Sequence, residues 1–339
     1  MSEQELPVSS ANVSPSGAAP ETVEPINSEA ADVASTAEHH SGYVAVVGKP
    51  NVGKSTLVNA LVGHKVAIVS PKPQTTRRRI MGILTRDDAQ IIFMDTPGIH
   101  EPRQALNKYM MREVETALGD CDAILFVVDS SQPPDDDDRR VAERIHRLPQ
   151  PKVMALNKAD LLDPTKVVEH TQLYHDLFGS EDSMLTSGVD IRVENLEALL
   201  NMLIAALPSG PEFYPPDQYT DQPEKVLAAE LIREQALHFL EQEVPHAVAV
   251  SVDEYALRAN NTTFISATIF VERDSQKGIL IGKGGQMLKR IGMESRREIE
   301  HMLDAKVYLE LWVKVREAWR RDENAVNEFL GKSSGVDAA

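Results

Sequence analysis

The chain has 339 residues, is 42% hydrophobic and 26% charged, and carries a formal net charge of −17. That length suggests two domains and a composition able to bury a sizeable core, while the charge excludes a protein that is basic all over, so any nucleic-acid surface must be local. A single cysteine, Cys121, excludes an intramolecular disulfide and fits a reducing compartment, and no apolar run approaches the ~18 residues of a membrane-spanning helix.

Residues 1–41 hold seven acidic residues and four prolines but no Lys, Arg or aromatic residue, the composition of a disordered acidic tail. Without Lys or Arg ahead of an apolar stretch, this segment is no signal peptide. From residue 42 to 207, apolar strand-like runs alternate with amphipathic helical ones. The runs Tyr43–Val47, Met81–Leu84, Gln90–Met94, Ala123–Val128, Lys152–Leu156 and Ser183–Leu185 read as strands. Lys54–Val62, Leu106–Leu118, Asp136–Arg147, Lys166–Phe178 and Val193–Leu207 read as helices. This alternation predicts an α/β domain with a mostly parallel sheet, helices on both faces and ligands at the carboxyl ends of the strands. Residues 208–224 carry five prolines and read as a stiff linker. Residues 225–321 follow as an α+β domain: helix Val226–Gln242, strands Ala247–Tyr255 and Thr262–Val271, a short amphipathic piece, a glycine loop, helix Gln286–Leu303 and strand Lys306–Val315. Residues 322–339 read as a C-terminal tail.

The first strand leads into Gly48-Lys49-Pro50-Asn51-Val52-Gly53-Lys54-Ser55-Thr56 and then directly into a helix. Strand, glycine loop and helix together form the context of a phosphate-binding loop. Backbone amides from Gly48 to Thr56 would cradle phosphate oxygens, Lys54 would reach the β- and γ-phosphates, and Ser55 would ligate Mg²⁺. Asp95-Thr96-Pro97-Gly98 ends a buried-looking strand: Asp95 would hold Mg²⁺ through water and the Gly98 amide would meet the γ-phosphate. Thr75-Thr76 lies in a proline-flanked loop suited to offering a threonine, Thr76 by preference, to the metal. Lys54, Thr76 and Gly98 are the candidate catalytic residues.

Asn157-Lys158-Ala159-Asp160, also at a strand end, selects the base. Guanine presents two donors that the Asp160 carboxylate can accept and adenine lacks, so the substrate is GTP rather than ATP. Asn157 would brace the loop near N7, and the Lys158 stem would cover the base plane. Thr186-Ser187, after the next strand, is the candidate for backing the base. Cys121 reads as a buried structural thiol.

In the second domain, Ile281-Gly282-Lys283-Gly284-Gly285 lies between helical stretches, in the element order of a KH domain of the bacterial arrangement, whose loop clamps single-stranded RNA. Residues 222–276 hold nine acidic residues and four Lys or Arg, whereas 277–321 hold six and eleven, so positive charge gathers around this loop. Lys289 and Arg290 join it as candidate RNA-binding residues. Ile279, Leu288 and Ile291 suit either a base-lining groove or the core. Trp319, beside Arg316, Arg320 and Arg321, suits either stacking on RNA or capping the core.

Together, the Pro-Asn-Val-Gly-Lys-Ser loop, Gln74-Thr75-Thr76-Arg77, Asp-Thr-Pro-Gly-Ile, Asn-Lys-Ala-Asp and the Gly-Lys-Gly-Gly loop resemble the bacterial Era family of ribosome-assembly GTPases. In that family, a GTPase domain of the TrmE–Era–EngA type precedes a type II KH domain. The resemblance spans roughly residues 42–321 and departs from the family pattern at Thr186-Ser187 and in the acidic run Asp135–Asp138. It implies binding of the 3′ end of small-subunit (16S) rRNA and of the small ribosomal subunit, cytoplasmic action with peripheral contact at the inner membrane surface, and a monomeric protein. It also implies that Asn51 helps bind K⁺ against the β- and γ-phosphates. Ile99 stands where several GTPases place a water-orienting glutamine, so slow intrinsic hydrolysis is expected. Two alternatives remain open: a GTPase acting on another RNA, as in tRNA modification, and a constitutive RNA-binding scaffold that uses GTP only structurally.

Overall fold

The computed structural model describes residues 39–99, 104–189 and 195–331. Most of the expected acidic tail, the loop 100–103, the residues 190–194 ahead of the fifth helix and the last eight residues lie outside this range.

The first domain is a six-stranded sheet in the order β2-β3-β1-β4-β5-β6, built from β1 His40–Val47, β2 Ile80–Thr85, β3 Ala89–Asp95, β4 Ala123–Asp129, β5 Lys152–Asn157 and β6 Ser183–Leu185. Only β2 runs antiparallel to its neighbour. Strand side chains alternate between two cores, as a period of two requires. Val44 and Val46 of β1 and Leu125 and Val127 of β4 face α1 (Lys54–Val62) and α5 (Asn195–Ala206). Ala45, Val47, Phe126 and Val128 face α2 (Ala105–Asp120), α3 (Asp136–His146) and α4 (Val167–Phe178). Burial on both faces explains why the strands read as continuous apolar runs. Cys121 lies in the second of these cores, where burial pushes its thiol up to about 11. Alkylation at pH 7.5 should therefore be slow in the folded chain and rise about tenfold per pH unit towards pH 11. A thiol that reacts at the rate of a free cysteine would contradict this burial.

β1 begins at His40, so residues 40 and 41, expected in the tail, belong to the sheet. The cause is the linker: His40 Nδ1 pairs with the Leu207 carbonyl at 2.9 Å, Ser41 N donates to Pro208 O, and Gly210 N donates to His39 O. The linker is stitched to the sheet further along. Gln90 Oε1 accepts from Phe213 N at 2.7 Å and Tyr214 N at 3.0 Å, Ile83 N donates to Tyr219 O, and Thr220 Oγ1 donates to Met81 O.

The second domain has α6 Glu224–Phe239, a one-turn α7 Val244–Ala247, β7 Ala249–Leu257, β8 Thr263–Val271, α8 Asp274–Ile281, α9 Gln286–Leu303 and β9 Val307–Val315. β7 and β8 are antiparallel, β8 and β9 parallel, and the helices pack on one face of this sheet. Residues 323–330, expected as tail, form α10 (Glu323–Leu330), capped by the Asp322 side chain. Its Ala325, Val326 and Leu330 bury against Leu106 and Met110 of α2 and against Trp319, which is fully buried and donates from Nε1 to the Ala247 carbonyl at 2.8 Å. Trp319 thus caps the core.

Candidate functional site

The loop Gly48–Ser55 joins β1 to α1 with Gly53 at the helix N-cap, so α1's amide end faces the loop's interior. Val52 is fully buried, Asn51 is exposed with φ 64°, and Gly53, Lys54, Ser55 and Thr56 line a cavity of about 70 Å³ together with Thr75, Thr76 and Gly98. Lys54 is buried, and its ammonium donates to the carbonyls of Gly48 at 3.2 Å and Lys49 at 3.1 Å. Burial pushes this ammonium down to about 8, against the pull of Asp95.

Ser55, Thr76 and Asp95 converge although they come from three different segments. Ser55 Oγ donates to Asp95 Oδ2 at 2.6 Å and lies 2.8 Å from Thr76 Oγ1, which is itself 3.3 Å from the same carboxylate oxygen. Thr75, by contrast, turns its hydroxyl to the Lys72 carbonyl. Asp95 is fully buried, its Oδ1 has no partner, and burial pushes its carboxyl up to about 6 despite the opposing Ser55 and Lys54. A buried carboxylate with an orphaned oxygen beside two hydroxyls fits a hard cation that keeps several waters, which is Mg²⁺ chemistry. Among the described residues no cluster of three or more His, Cys, Asp or Glu offers another metal site.

Thr96 donates to the Val46 carbonyl and fixes the strand end that leads through Pro97 to Gly98. Gly98 lies so close to the phosphate loop that a Cβ there would stand 2.7 Å from Pro50 N. Ile99 N donates to Gly48 O, and the Ile99 side chain is buried in the core with Met94 and Met111.

At the base-recognition end, Asn157 Nδ2 donates to the Val52 carbonyl at 2.9 Å, bracing the phosphate loop, and its Oδ1 lies 3.4 Å from Thr186 Oγ1. Ser187 Oγ donates to Asp160 Oδ1 at 2.6 Å. Thr186 and Ser187, where the sequence departs from the family pattern, thus each hydrogen-bond one of the two residues expected to read the base. Sequence reasoning missed three acidic partners of two site lysines. Asp129, at the end of β4, accepts from Lys158 Nζ at 2.6 Å and fixes the lysine stem. Asp135 and Asp138, which form a capping box on α3, each accept from Lys49 Nζ of the phosphate loop at 2.7 Å. The position of Asp129 at a strand's carboxyl end was an available signal. Lys49 carried none.

The second candidate site is a groove of about 510 Å³ in the α+β domain, lined by Gly285, Leu288, Lys289, Gly292, Met293 and Arg296 with Leu309 and Leu311 of β9. The loop Gly282–Gly285 reaches it through Gly285. Gly282 has φ 71°, and a Cβ there would stand 2.7 Å from Met287 Cβ, so no other residue keeps this turn. Lys283 and Gly284 are exposed, and Ile281 is half-buried behind them. Arg290, one position from Lys289 on the helix, is exposed and stacks its guanidinium 4.1 Å from the Phe239 ring centre, outside the groove lining. Arg296 takes its place at the groove, Ile291 is core, and Ile279 is exposed.

These two sites on a six-stranded α/β domain and a helix-backed three-stranded sheet define a P-loop GTPase carrying a KH domain. A family model described as 50S ribosome-binding GTPase matches residues 43–158, and a KH-domain model matches 243–320. An Era structure in complex with MgGDPNP and nucleotides 1506–1542 of 16S ribosomal RNA is 39% identical, with a TM-score of 0.82, covering 86% of this chain and 98% of that one. A point variant of Era from Aquifex aeolicus bound to GDP and aluminium fluoride is likewise 39% identical, with a TM-score of 0.81 over the same shares of both chains. The chain belongs to the Era family of GTPases.

Proposed function

We propose that this chain is a GTP-hydrolysing switch that binds single-stranded RNA at the 3′ end of small-subunit rRNA and acts in assembly of the small ribosomal subunit. The observation that carries the reading is the likeness, along 98% of its length, to an Era chain bound to both MgGDPNP and 16S rRNA nucleotides. The groove beside Lys283, Lys289 and Arg296 supports RNA binding in this chain. Crosslinking to RNA in cells, with the sites mapped, tests the reading: crosslinks at the 3′ end of small-subunit rRNA are expected, and a cluster elsewhere would refute it. In vitro, replacing Lys283, Lys289 and Arg296 together by Ala should weaken RNA binding. It should also reduce the slope of log affinity against log salt by about 2, at ~0.7 for each phosphate no longer neutralised. An unchanged slope would remove these residues from the RNA interface.

In the nucleotide site, Ser55, Thr76 and Asp95 would hold Mg²⁺, which when bound neutralises charge on the phosphate oxygens as the γ-phosphoryl group passes to water. Lys54 leaves its two carbonyls for the β- and γ-phosphates, whose charge keeps it an ammonium. The amides from Gly48 to Thr56 and that of Gly98 orient the triphosphate, with Thr96 and Pro97 shaping the turn. Asp160 and Asn157 read guanine, Lys158 covers it, and Thr186 and Ser187 back the residues that contact it. Ile99 cannot orient water, which supports slow intrinsic turnover. The family resemblance gives Asn51 a part in holding K⁺ beside the phosphates. Replacing K⁺ by Na⁺ at constant ionic strength should then lower the GTPase rate several-fold, whereas an equal rate would leave Asn51 as a turn residue only.

We place this activity in the cytoplasm, in a monomer. Among the described residues no helix is long and apolar enough to cross a membrane, and peripheral contact with the inner membrane surface rests on the family resemblance.

A further inference from the structure

Three consecutive residues beside the metal site are anchored on three different partners. Thr76 faces the phosphate loop, 2.8 Å from Ser55 Oγ. The carbonyl of Thr75 accepts from Arg233 Nη2 on α6 of the KH domain. Arg77 runs the other way and is buried in the KH domain: Nη1 donates to the Val248 carbonyl at 2.5 Å and Nη2 to the His246 carbonyl at 3.1 Å. Its guanidinium lies 5.5 Å from the centre of the Trp319 ring. Successive Cα atoms are held ~3.8 Å apart, so the Thr76 backbone cannot move far from Ser55 while both neighbours stay seated.

The charges around this anchor are unbalanced. Arg77, Arg78 and Arg233 are all buried, and the carboxylate among them is Glu230, 2.5 Å from Arg233 and 3.5 Å from Arg78. Burial disfavours its ionisation, but the three guanidiniums hold the Glu230 carboxyl down at about 2. Arg77 is bonded to carbonyls and a ring face, and its Nε has no partner. Arg77 thus makes no direct bond to a carboxylate, and only Glu230 and Glu272, at longer range, offset the cost of burying its charge. The same tryptophan also touches α2, which follows Gly98 in the chain and packs Leu106 and Met110 against Trp319 and α10.

We infer that Arg77 is a positioning residue for Thr76: seated between the Val248 carbonyl, the His246 carbonyl and Trp319, and backed by Arg233 on Thr75, it makes docking of the KH domain a condition for Thr76 to reach the metal. The inference rests on the reading of Thr76 as a ligand of Mg²⁺ bound with GTP. Linkage makes it reciprocal: GTP with Mg²⁺ favours the seated KH domain, and anything that unseats that domain weakens GTP by the same factor. GDP does not engage Thr76 and is indifferent to the seat.

The test uses the full chain with Arg77→Ala, Arg77→Lys, Arg233→Ala and Thr76→Ala. GTP hydrolysis is measured against Mg²⁺ concentration, and binding of fluorescent GDP is measured alongside. Arg77→Ala and Arg233→Ala should each lower kcat by ~10-fold and raise the Mg²⁺ concentration for half-maximal rate by a similar factor, with GDP affinity within ~2-fold of wild type. Arg77→Lys, which keeps a cation in the seat, should recover part of the loss. Should Arg77→Ala fail to fold, Arg233→Ala and Arg77→Lys carry the test, since both keep Arg77's position filled. The inference is overturned if these variants hydrolyse GTP at the wild-type rate and Mg²⁺ dependence, or lose GDP and GTP affinity in parallel, as a merely structural role would. A wild-type rate in Thr76→Ala would instead overturn the reading of Thr76 itself.

Discussion

Asp160→Asn is expected to lower GTP and GDP affinity by at least ~100-fold and to create binding of xanthosine nucleotides. One carboxylate oxygen of Asp160 is held by Ser187 Oγ at 2.6 Å, which restrains the plane of the group. Guanine brings two N–H donors to this acceptor. Hydrogen bonds to a charged group contribute about 1.5–3 kcal/mol each, so losing two of them spans roughly 10²- to 10⁴-fold. The asparagine amide adds a donor facing donors, and a site built around buried polar groups rejects such a mismatch strongly. Xanthine carries a carbonyl where guanine carries its amino group, which restores a donor–acceptor pair with the amide. Titration of the variant with both nucleotides checks the prediction. Unchanged GTP affinity would show that Asp160 does not touch the base.

The two tryptophans should differ sharply. Trp319→Ala removes a fully buried ring that packs edge-on against Phe329, holds the Ala247 carbonyl and faces Arg77. Deleting such a side chain costs about 3–5 kcal/mol, which in a chain of this size lowers the melting temperature by roughly 10 °C. Amide exchange in α10 and the first half of α2 should rise with it, since both lean on this ring. Trp312 is 58% exposed on β9, and Trp312→Ala should stay within ~0.5 kcal/mol of wild type. Equal melting temperatures for the two variants would contradict the packing.

Local pattern carried most of the fold. α1 runs Lys54–Val62 and α9 runs Gln286–Leu303 as their periodicity and flanking glycines predict, because a strand-to-loop-to-helix transition is written in consecutive residues. The phosphate loop, the Asp95 turn and the Asn157–Asp160 turn were legible for the same reason. What escaped depends on residues distant in sequence. Arg77 finds its seat on residues 246–248, and Arg233 reaches back to Thr75. Neither residue shows a local pattern that could announce its partner. Residues 322–330 look like tail in the sequence because a two-turn helix is too short to display a period. α10 owes its stability to Trp319 and α2. The packing of Arg290 on Phe239 was not legible either: one step along a helix is a turn of about 100°, so its neighbour Lys289 lines the groove while Arg290 lies over that ring. The ambiguity at Trp319 could be resolved only by the carbonyl of Ala247, 72 residues away.

The stitched linker bears on how far the two domains can part. Its residues from 208 to 220 are fastened to the edge of the first sheet, and α6 begins at Glu224, so about three residues remain as free tether. At ~3.5 Å per residue that is a leash of about 10 Å. A partner on so short a leash is present at an effective concentration of millimolar or more whenever the leash reaches. The contacts around Arg77 and Trp319 therefore need only millimolar intrinsic affinity to stay closed, and a modest change at the nucleotide can open them without the RNA-binding domain ever drifting out of range.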